Sequence, residues 1–389
     1  MNETKLFNAF EEVYGRDAAL GKRCFFAPGR VCLLGEHLDY NNAVVLPASI
    51  AHGISAVYRP TFNNVLCISS LQQEKEMIID LESPIVYQQS NEWGNYVLGV
   101  YRSFAEKGWK LSGAEILFHS DLPVGAGLSS SAALTVLTAF ILNTVLKADY
   151  TKKKLAEICR KVENDFIGVN CGLMDPLAIA LGKKDYLISL DCATEDFEYI
   201  PLDLAAHSCA LVVFNTNKSR ELAASAFNER VEECQNALEQ ISNKKGELLQ
   251  WRDIGQDALN LLEDPTLKKR GRHLLTEIQR VSEAEELLKK GELKAFGQLM
   301  TQSHRSLKDD FEVSCPELDF FVENAIKETG CMGAKMTGAG FGGCAIALVA
   351  QKQVPQFMQH IEKAYYVQTG LQGKAFVTTI DEGVRELCE

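Results

Sequence analysis

The chain has 389 residues, enough for two domains of ordinary size. Forty Lys and Arg against 52 Asp and Glu leave a formal charge of −12, which excludes a general binder of nucleic-acid backbones or anionic membranes but not a local pocket for one small anion. With 46% hydrophobic and 24% charged residues, the composition is that of a soluble globular protein and excludes an intrinsically disordered chain.

In chain order, residues 1–12 lack a basic segment followed by an apolar one, so no secretory signal is expected. Residues 26–41 pack Arg30, Glu36, His37 and Asp39 into ten positions beside two glycines. Such groups are costly to bury unless paired or ligand-bound, and a Glu/His/Asp set suits a polyhydroxylated ligand. The plainer alternative is a solvated loop with an Arg–carboxylate pair. Short Val- and Ile-rich runs at 44–46, 54–57, 65–68 and 116–118 read as strands. The last precedes Leu122-Pro-Val-Gly-Ala-Gly-Leu-Ser-Ser-Ser-Ala-Ala133, which leads into an apolar helix over Ser130–Leu146. Gly125 and Gly127 permit close backbone approach, and Ser129, Ser130 and Ser131 set hydroxyls and free amides at a helix start, so the segment reads as an anion-binding loop or as a serine-capped turn. It is not a Walker loop, because GxxxxGK[ST] is absent.

Asp175-Pro176 is a good helix start, so a capping role for Asp175 stands beside any chemical one. A change of pattern at 199–201 places a domain boundary there, giving 1–200 and 201–389. A strand at 210–214 and nearly continuous helix over 218–307 follow, broken near Asp264-Pro265 and Gly291. The charged stretch 268–290 reads as a solvated amphipathic face, and His304 as a structural histidine. Gly338, Gly340 and Gly343 satisfy GxGxxG, but a strand-like run at 344–349 follows them, so the dinucleotide-fold match reads as a decoy and the segment as a tight glycine turn that packs two segments or borders a ligand. The apolar stretches are far too short to span a bilayer. Twelve scattered cysteines, without CxxC or zinc spacing, fit reduced thiols of a cytoplasmic protein. Strands and helices mix without regular βαβ repetition, so the fold class is α+β.

The three glycine-rich segments, in this order, resemble the GHMP small-molecule kinases and within them the galactokinases. Residues 93–97, 171–175 and 303–319 are also similar to galactokinase blocks, so the resemblance runs from about Phe26 to Gly343. It implies an N-terminal α+β domain, a ferredoxin-like C-terminal α+β domain and an active site in the cleft between them. It implies transfer of the γ-phosphoryl of Mg-ATP to the anomeric hydroxyl of galactose, by a monomer that binds sugar and ATP and needs neither nucleic acid nor membrane. By position it makes Asp175 the catalytic carboxylate and Arg30 its cationic partner. Ser131 and Glu163 would hold Mg2+, and Gly125, Ala126, Gly127, Leu128, Ser129, Ser130 and Ser131 would wrap the ATP phosphates, with Trp93 near the adenine. Glu36, His37, Asp39, Gly172 and Phe227 would form the sugar site.

The sequence departs from the family pattern at Cys32 (Asn is usual), Leu38 (Thr), Pro176 (Gln) and Phe227, where the family has a sugar-contacting Tyr. These departures touch the sugar rather than the phosphoryl chemistry. They motivate two alternatives: a kinase of N-acetylgalactosamine or arabinose, and a sugar- and ATP-binding sensor without turnover.

Overall fold

The computed structural model describes residues 2–17, 21–123, 127–218 and 223–387. Helix α1 (Glu3–Tyr14) leads into β1 (Arg23–Leu34) and β2 (Val44–Pro60), followed by β3 (Val65–Ser70) and β4 (Gln73–Asp80). Pro28 and Gly29 punctuate β1 in the sequence, yet it is a long strand, because a register shift at that pair absorbs both residues. The runs at 44–46 and 54–57 are two parts of one strand, β2.

After α2 (Gly94–Glu106) come β5 (Ala114–Ser120), α3 (Ser130–Leu146), α4 (Lys152–Lys161), a single π-helical turn at Val162–Ile167 and α5 (Met174–Leu181). The hairpin β6 (Tyr186–Asp191) and β7 (Asp196–Pro201) pairs with the first residues of β2. In this sheet Cys24, Val57 and Leu117 lie in register on one face, where they pack on Leu6 and Phe10 of α1. Their neighbours Phe25, Ala56 and Phe118 face the main core on the other side, the period-2 alternation of a sheet covered on both faces. Helices α3 and α5 lie on β1 and β2 there, and α3 is buried along most of its length, as its all-round apolar character predicts.

The second half runs β8 (Cys209–Asn215), α6 (Ala223–Lys245), α7 (Pro265–Lys289), α8 (Leu293–Asp309), α9 (Pro316–Ala325), β9 (Cys331–Met336), β10 (Cys344–Ala350), α10 (Val354–Thr369) and β11 (Lys374–Thr378). Its sheet is antiparallel in the order β11-β8-β10-β9. Helix α7 starts where expected, Asp264 capping it through Thr266 N at 2.7 Å with Pro265 at its first position, but the expected near-continuous helix is interrupted over 246–264, which hold only the 3-10 turns Trp251–Asp253 and Gln256–Leu261. The chain end then returns as β12 (Arg385–Leu387) to pair with β1, so the first sheet has the order β12-β1-β2-β5-β3-β4.

The expectation of a solvated amphipathic face at 268–290 holds for Arg272, Glu283, Glu286, Lys289 and Lys290, which are exposed, but fails for the charges on the inner face. Helix α7 packs on β1, β2 and β7 as well as on α6 and α8, and Arg270, His273 and Glu277 are buried in those contacts. Arg270 donates to Glu233 at 2.7 Å, Glu312 at 2.9 Å and the carbonyl of Asp310 at 2.7 Å. The charges are paired with groups remote in sequence, which a local pattern does not reveal. No helix among the described residues is long and apolar enough to cross a membrane.

Candidate active site

A cavity of about 320 Å3 lies where the first motif, the serine loop, the start of α5 and the third glycine turn meet. Strand β1 delivers Arg30 to its wall. Gly29 lets the serine loop come close, since a Cβ there would sit 2.9 Å from the carbonyl of Leu128. The Arg30 amide donates to that same carbonyl at 3.2 Å. Its guanidinium grips Asp175 with both prongs, Nε to Oδ1 at 2.6 Å and Nη2 to Oδ2 at 2.8 Å, and Nη1 donates to the carbonyl of Gly127 at 2.7 Å. Among the described residues that line the cavity, Arg30 is the only cation.

Asp175 lies inside the first turn of α5, after Leu173 at the cap position, and its side chain makes no cap. The capping reading is therefore corrected: Arg30 and the hydroxyl of Ser129 take the carboxylate instead. Ser129 has φ 59°, a left-handed backbone that turns its hydroxyl to Asp175 rather than to the N-terminal amides of α3. One turn on, the hydroxyls of Ser131 and Thr135 face Glu163 at 3.5 and 3.4 Å. Glu163 is presented by the π-helical turn, a distortion often found at functional sites. Burial, then the nearby Asp175, push its carboxyl up to about 7. Ser131 and Glu163 are hard oxygen donors on one wall, which fits Mg2+ completed by phosphate and water. Among the described residues no cluster of three or more His, Cys, Asp or Glu forms a metal cage.

The opposite wall comes from the first motif. Beyond β1 the chain reverses at Gly35 (φ 96°), where a Cβ would meet Val45 Cα at 2.9 Å. This sends Glu36, His37 and Asp39 to the cavity, which excludes the solvated-loop alternative. Burial and then Asp175 raise the Asp39 carboxyl to about 6, and its side chain abuts the backbone of Gly172. Burial, helped by His273, pushes His37 down to about 3, so the ring is neutral near pH 7. Its Nδ1 lies 3.0 Å from the Tyr40 hydroxyl, while Nε2 is buried without a well-formed hydrogen bond among the described residues, the backbone of Ala339 lying against the ring. A ring nitrogen so placed against a cavity can take a ligand hydroxyl.

The second half closes the cavity with Phe227 and Asn228 of α6 and with Gly338 and Ala339. Phe227 stands 5.3 Å from the ring of Tyr40 and 5.7 Å from that of His37. Trp93 is not part of this wall; it packs edge-on against Phe118 of β5 at 5.9 Å. Leu128 is buried in the core and contributes its carbonyl, and Ser130 opens α3. Gly125 and Ala126 lie outside the described residues. His304 is structural as expected, its Nδ1 accepting from the Met336 amide at 3.3 Å. The sequence reading missed Asn228, Met174 and Ala339 on the wall and Lys335 behind it. For Lys335 a signal existed: a lone lysine in an otherwise uncharged strand beside a motif.

Comparison with known proteins gives this geometry a family. The family model described as GHMP kinases N terminal domain matches residues 95–183, that of GHMP kinases C terminal matches 284–367, and the galactokinase galactose-binding signature matches 8–60. The curated galactokinases of Clostridium tetani and Exiguobacterium sibiricum are each 39% identical to this chain, covering 100% of it and 98% and 99% of their own lengths. A solved structure of Lactococcus lactis galactokinase complexed with galactose superposes with a TM-score of 0.93 at 36% identity, over 99% of both chains. The Methanococcus jannaschii mevalonate kinase shares the fold at a TM-score of 0.71 and 19% identity, over 92% of this chain and 98% of its own. On its sequence relatives and the fold they share, the chain belongs to the galactokinase family of the GHMP kinases.

Proposed function

We propose that the protein transfers the γ-phosphoryl group of Mg-ATP to the anomeric hydroxyl of galactose, giving galactose 1-phosphate and ADP. The observation that carries this reading is the two-pronged Arg30–Asp175 pair at the wall of a cavity whose other wall presents Glu36, His37 and Asp39. The sugar lies in this reading against Glu36, His37, Asp39, Gly172 and Phe227, with Nε2 of His37 taking one hydroxyl. Asp175, fixed by Arg30 and Ser129, accepts the proton of the anomeric hydroxyl as its oxygen bonds to the γ-phosphorus and the bond to ADP breaks. Arg30 sets a fixed positive charge beside the transferring group. The serine loop and the N-terminus of α3 cradle the phosphates through free amides and the helix dipole, and Trp93 borders the adenine. Ser131 and Glu163 would hold Mg2+, which when bound neutralises phosphate charge. A division into domains at residue 200 would put both walls on the first domain and leave Phe227, Asn228, Gly338 and Ala339 to close the cavity from the second.

The test is ADP release from Mg-ATP across galactose, N-acetylgalactosamine, glucose, arabinose, mevalonate and homoserine, with Asp175→Asn as the blank. Galactose should turn over with the others far slower. Faster turnover of another sugar would move the specificity to the departures at Cys32, Leu38 and Phe227. Silence across the panel with ATP still bound would favour the sensor.

A further inference from the structure

Behind the sugar wall lies a buried charge cluster that the chemistry above does not use. Lys335, on β9 in the second sheet, is fully buried, and its ammonium meets one oxygen of Glu36. The same ammonium donates to the carbonyls of Met336 at 2.8 Å and Cys32 at 3.3 Å, so its three protons are all used. The other Glu36 oxygen accepts from the Gly338 amide at 3.1 Å. Thr337, between them, receives the Cys32 amide on its hydroxyl at 3.0 Å. Lys335, Thr337 and Gly338, three of four consecutive residues at the third motif, thus hold the first motif. Beside them, Glu277 of α7 accepts from the Gly35 amide at 2.9 Å, from Ser303 at 2.7 Å and from Arg280 at 2.7 Å. Glu36 is 1% exposed and lines the cavity, so without a counter-ion its charge would be expelled from that position.

We propose that Lys335 is a positioning residue for sugar binding: from the second half of the chain its ammonium aims the Glu36 carboxylate at the sugar cavity and keeps it charged. The inference rests on the reading of Glu36 as a sugar ligand. Each carboxylate oxygen receives one protein donor and retains a lone pair for a sugar hydroxyl. A neutral side chain at 335 leaves Glu36 either protonated or turned away. Either change weakens the sugar and spares the nucleotide loop, because among the described residues the hydrogen bonds of Lys335 go to Glu36, Cys32 and Met336 and none to that loop.

Glu36→Gln tests the underlying reading, and Lys335→Met tests the inference. Glu36→Gln should raise KM for galactose about tenfold, the scale of one hydrogen bond to a charged group, with KM for ATP within about twofold. An unchanged KM for galactose would remove Glu36 from the sugar site, and the inference with it. Lys335→Met should reproduce the same split, and Lys335→Arg should recover part of it. In a Glu36→Gln background, Lys335→Met should add less than about twofold to KM for galactose, the non-additivity of two residues acting as one. Groups facing Glu36 are Lys335 on β9, Glu277 on α7, and Arg30 and Cys32 on β1, with His273 of α7 at its backbone carbonyl. With Lys335 neutral, the loss of galactose affinity on acidification should begin at higher pH than in wild type; Asp39 titrates in both proteins and cancels from the comparison. The proposal is overturned if Glu36→Gln shows the split while Lys335→Met leaves KM for galactose at the wild-type value, raises both KM values equally, or adds in full to Glu36→Gln. Should Lys335→Met not fold, Lys335→Gln, which keeps a donor without the charge, is read by the same criteria.

Discussion

Asp175 meets Arg30 and Ser129 on the protein side, so its orientation is set before any substrate arrives. Asp175→Asn keeps the shape and one acceptor oxygen but cannot take a proton. Its kcat should fall about 10^2–10^4-fold, the usual contribution of general-base catalysis, with ATP binding within about twofold by calorimetry. Asp39 offers a prediction in which stability and function oppose. Its carboxyl keeps its proton up to about pH 6 in the folded protein, against an ordinary value of 3.8. The folded state therefore binds more protons between those values, and stability falls as pH rises through them. Asp39→Asn should melt higher than wild type above about pH 7, by about 1–3 °C for a chain of this size, and the gain should vanish near pH 4. The same variant should lose galactose affinity, and wild-type KM for galactose should rise as pH drops below about 6. Phe227→Tyr adds a hydroxyl to the cavity wall. A drop of about two- to tenfold in KM for galactose is expected, one neutral hydrogen bond; a raised KM would show that the position does not meet the sugar.

Among the elements, α7 decides how the second half meets the first. Glu277 is buried, and burial alone would raise its carboxyl. Arg280, His273, Lys335 and the Gly35 amide together outweigh that and hold it down at about 2, against an ordinary 4.5. A depressed carboxyl contributes stability that is present above about pH 4.5 and lost as pH falls toward 2. Glu277→Gln should cost about 2–4 kcal/mol at neutral pH, since Arg280 and two donors lose a charged acceptor. The gap to wild type in urea melts should narrow on acidification below about pH 4. The helix break at Asp264-Pro265 and the core helix Ser130–Leu146 were legible because caps and apolar patterning are local properties. The buried charges of α7 were not, because a glutamate paired across 26 or 242 residues of sequence looks like any surface glutamate.

For the whole molecule, the cavity exists because two halves of the chain meet with their glycine turns in contact. Gly338, at φ +83°, lies so close to the serine loop that a Cβ would stand 2.7 Å from the carbonyl of Gly127. That carbonyl also receives Arg30, and the Gly338 amide binds Glu36, so one residue meets both the Arg30 wall and the Glu36 wall of the cavity. Gly338→Ala is strained in its backbone and collides with backbone rather than with a yielding side chain. A loss of about 2–4 kcal/mol is expected, read as a lower melting temperature, together with a fall in kcat and a rise in both KM values. A drop in stability with unchanged kinetics would mean that the two turns pack without shaping the site.

The residue types and spacings of the three motifs were enough to recognise the family and to single out Arg30, Asp175, Glu36, His37 and Asp39, which the structure brings to one cavity. Those features are local: a glycine where the backbone must turn, a serine run at a helix start, a cluster of polar groups too dense to bury idly. Local pattern equally set the α+β class and the main helix breaks. It could not set which carboxylate is capped and which is gripped by an arginine 145 residues away, that β1 runs through a Pro-Gly pair, or that the chain end returns to the first sheet. Nor could it supply Lys335 behind Glu36 or the raised protonation of Asp39 and Glu163. Ion pairing and desolvation depend on distance and burial in three dimensions, and both are defined only once the two halves have closed around the cavity.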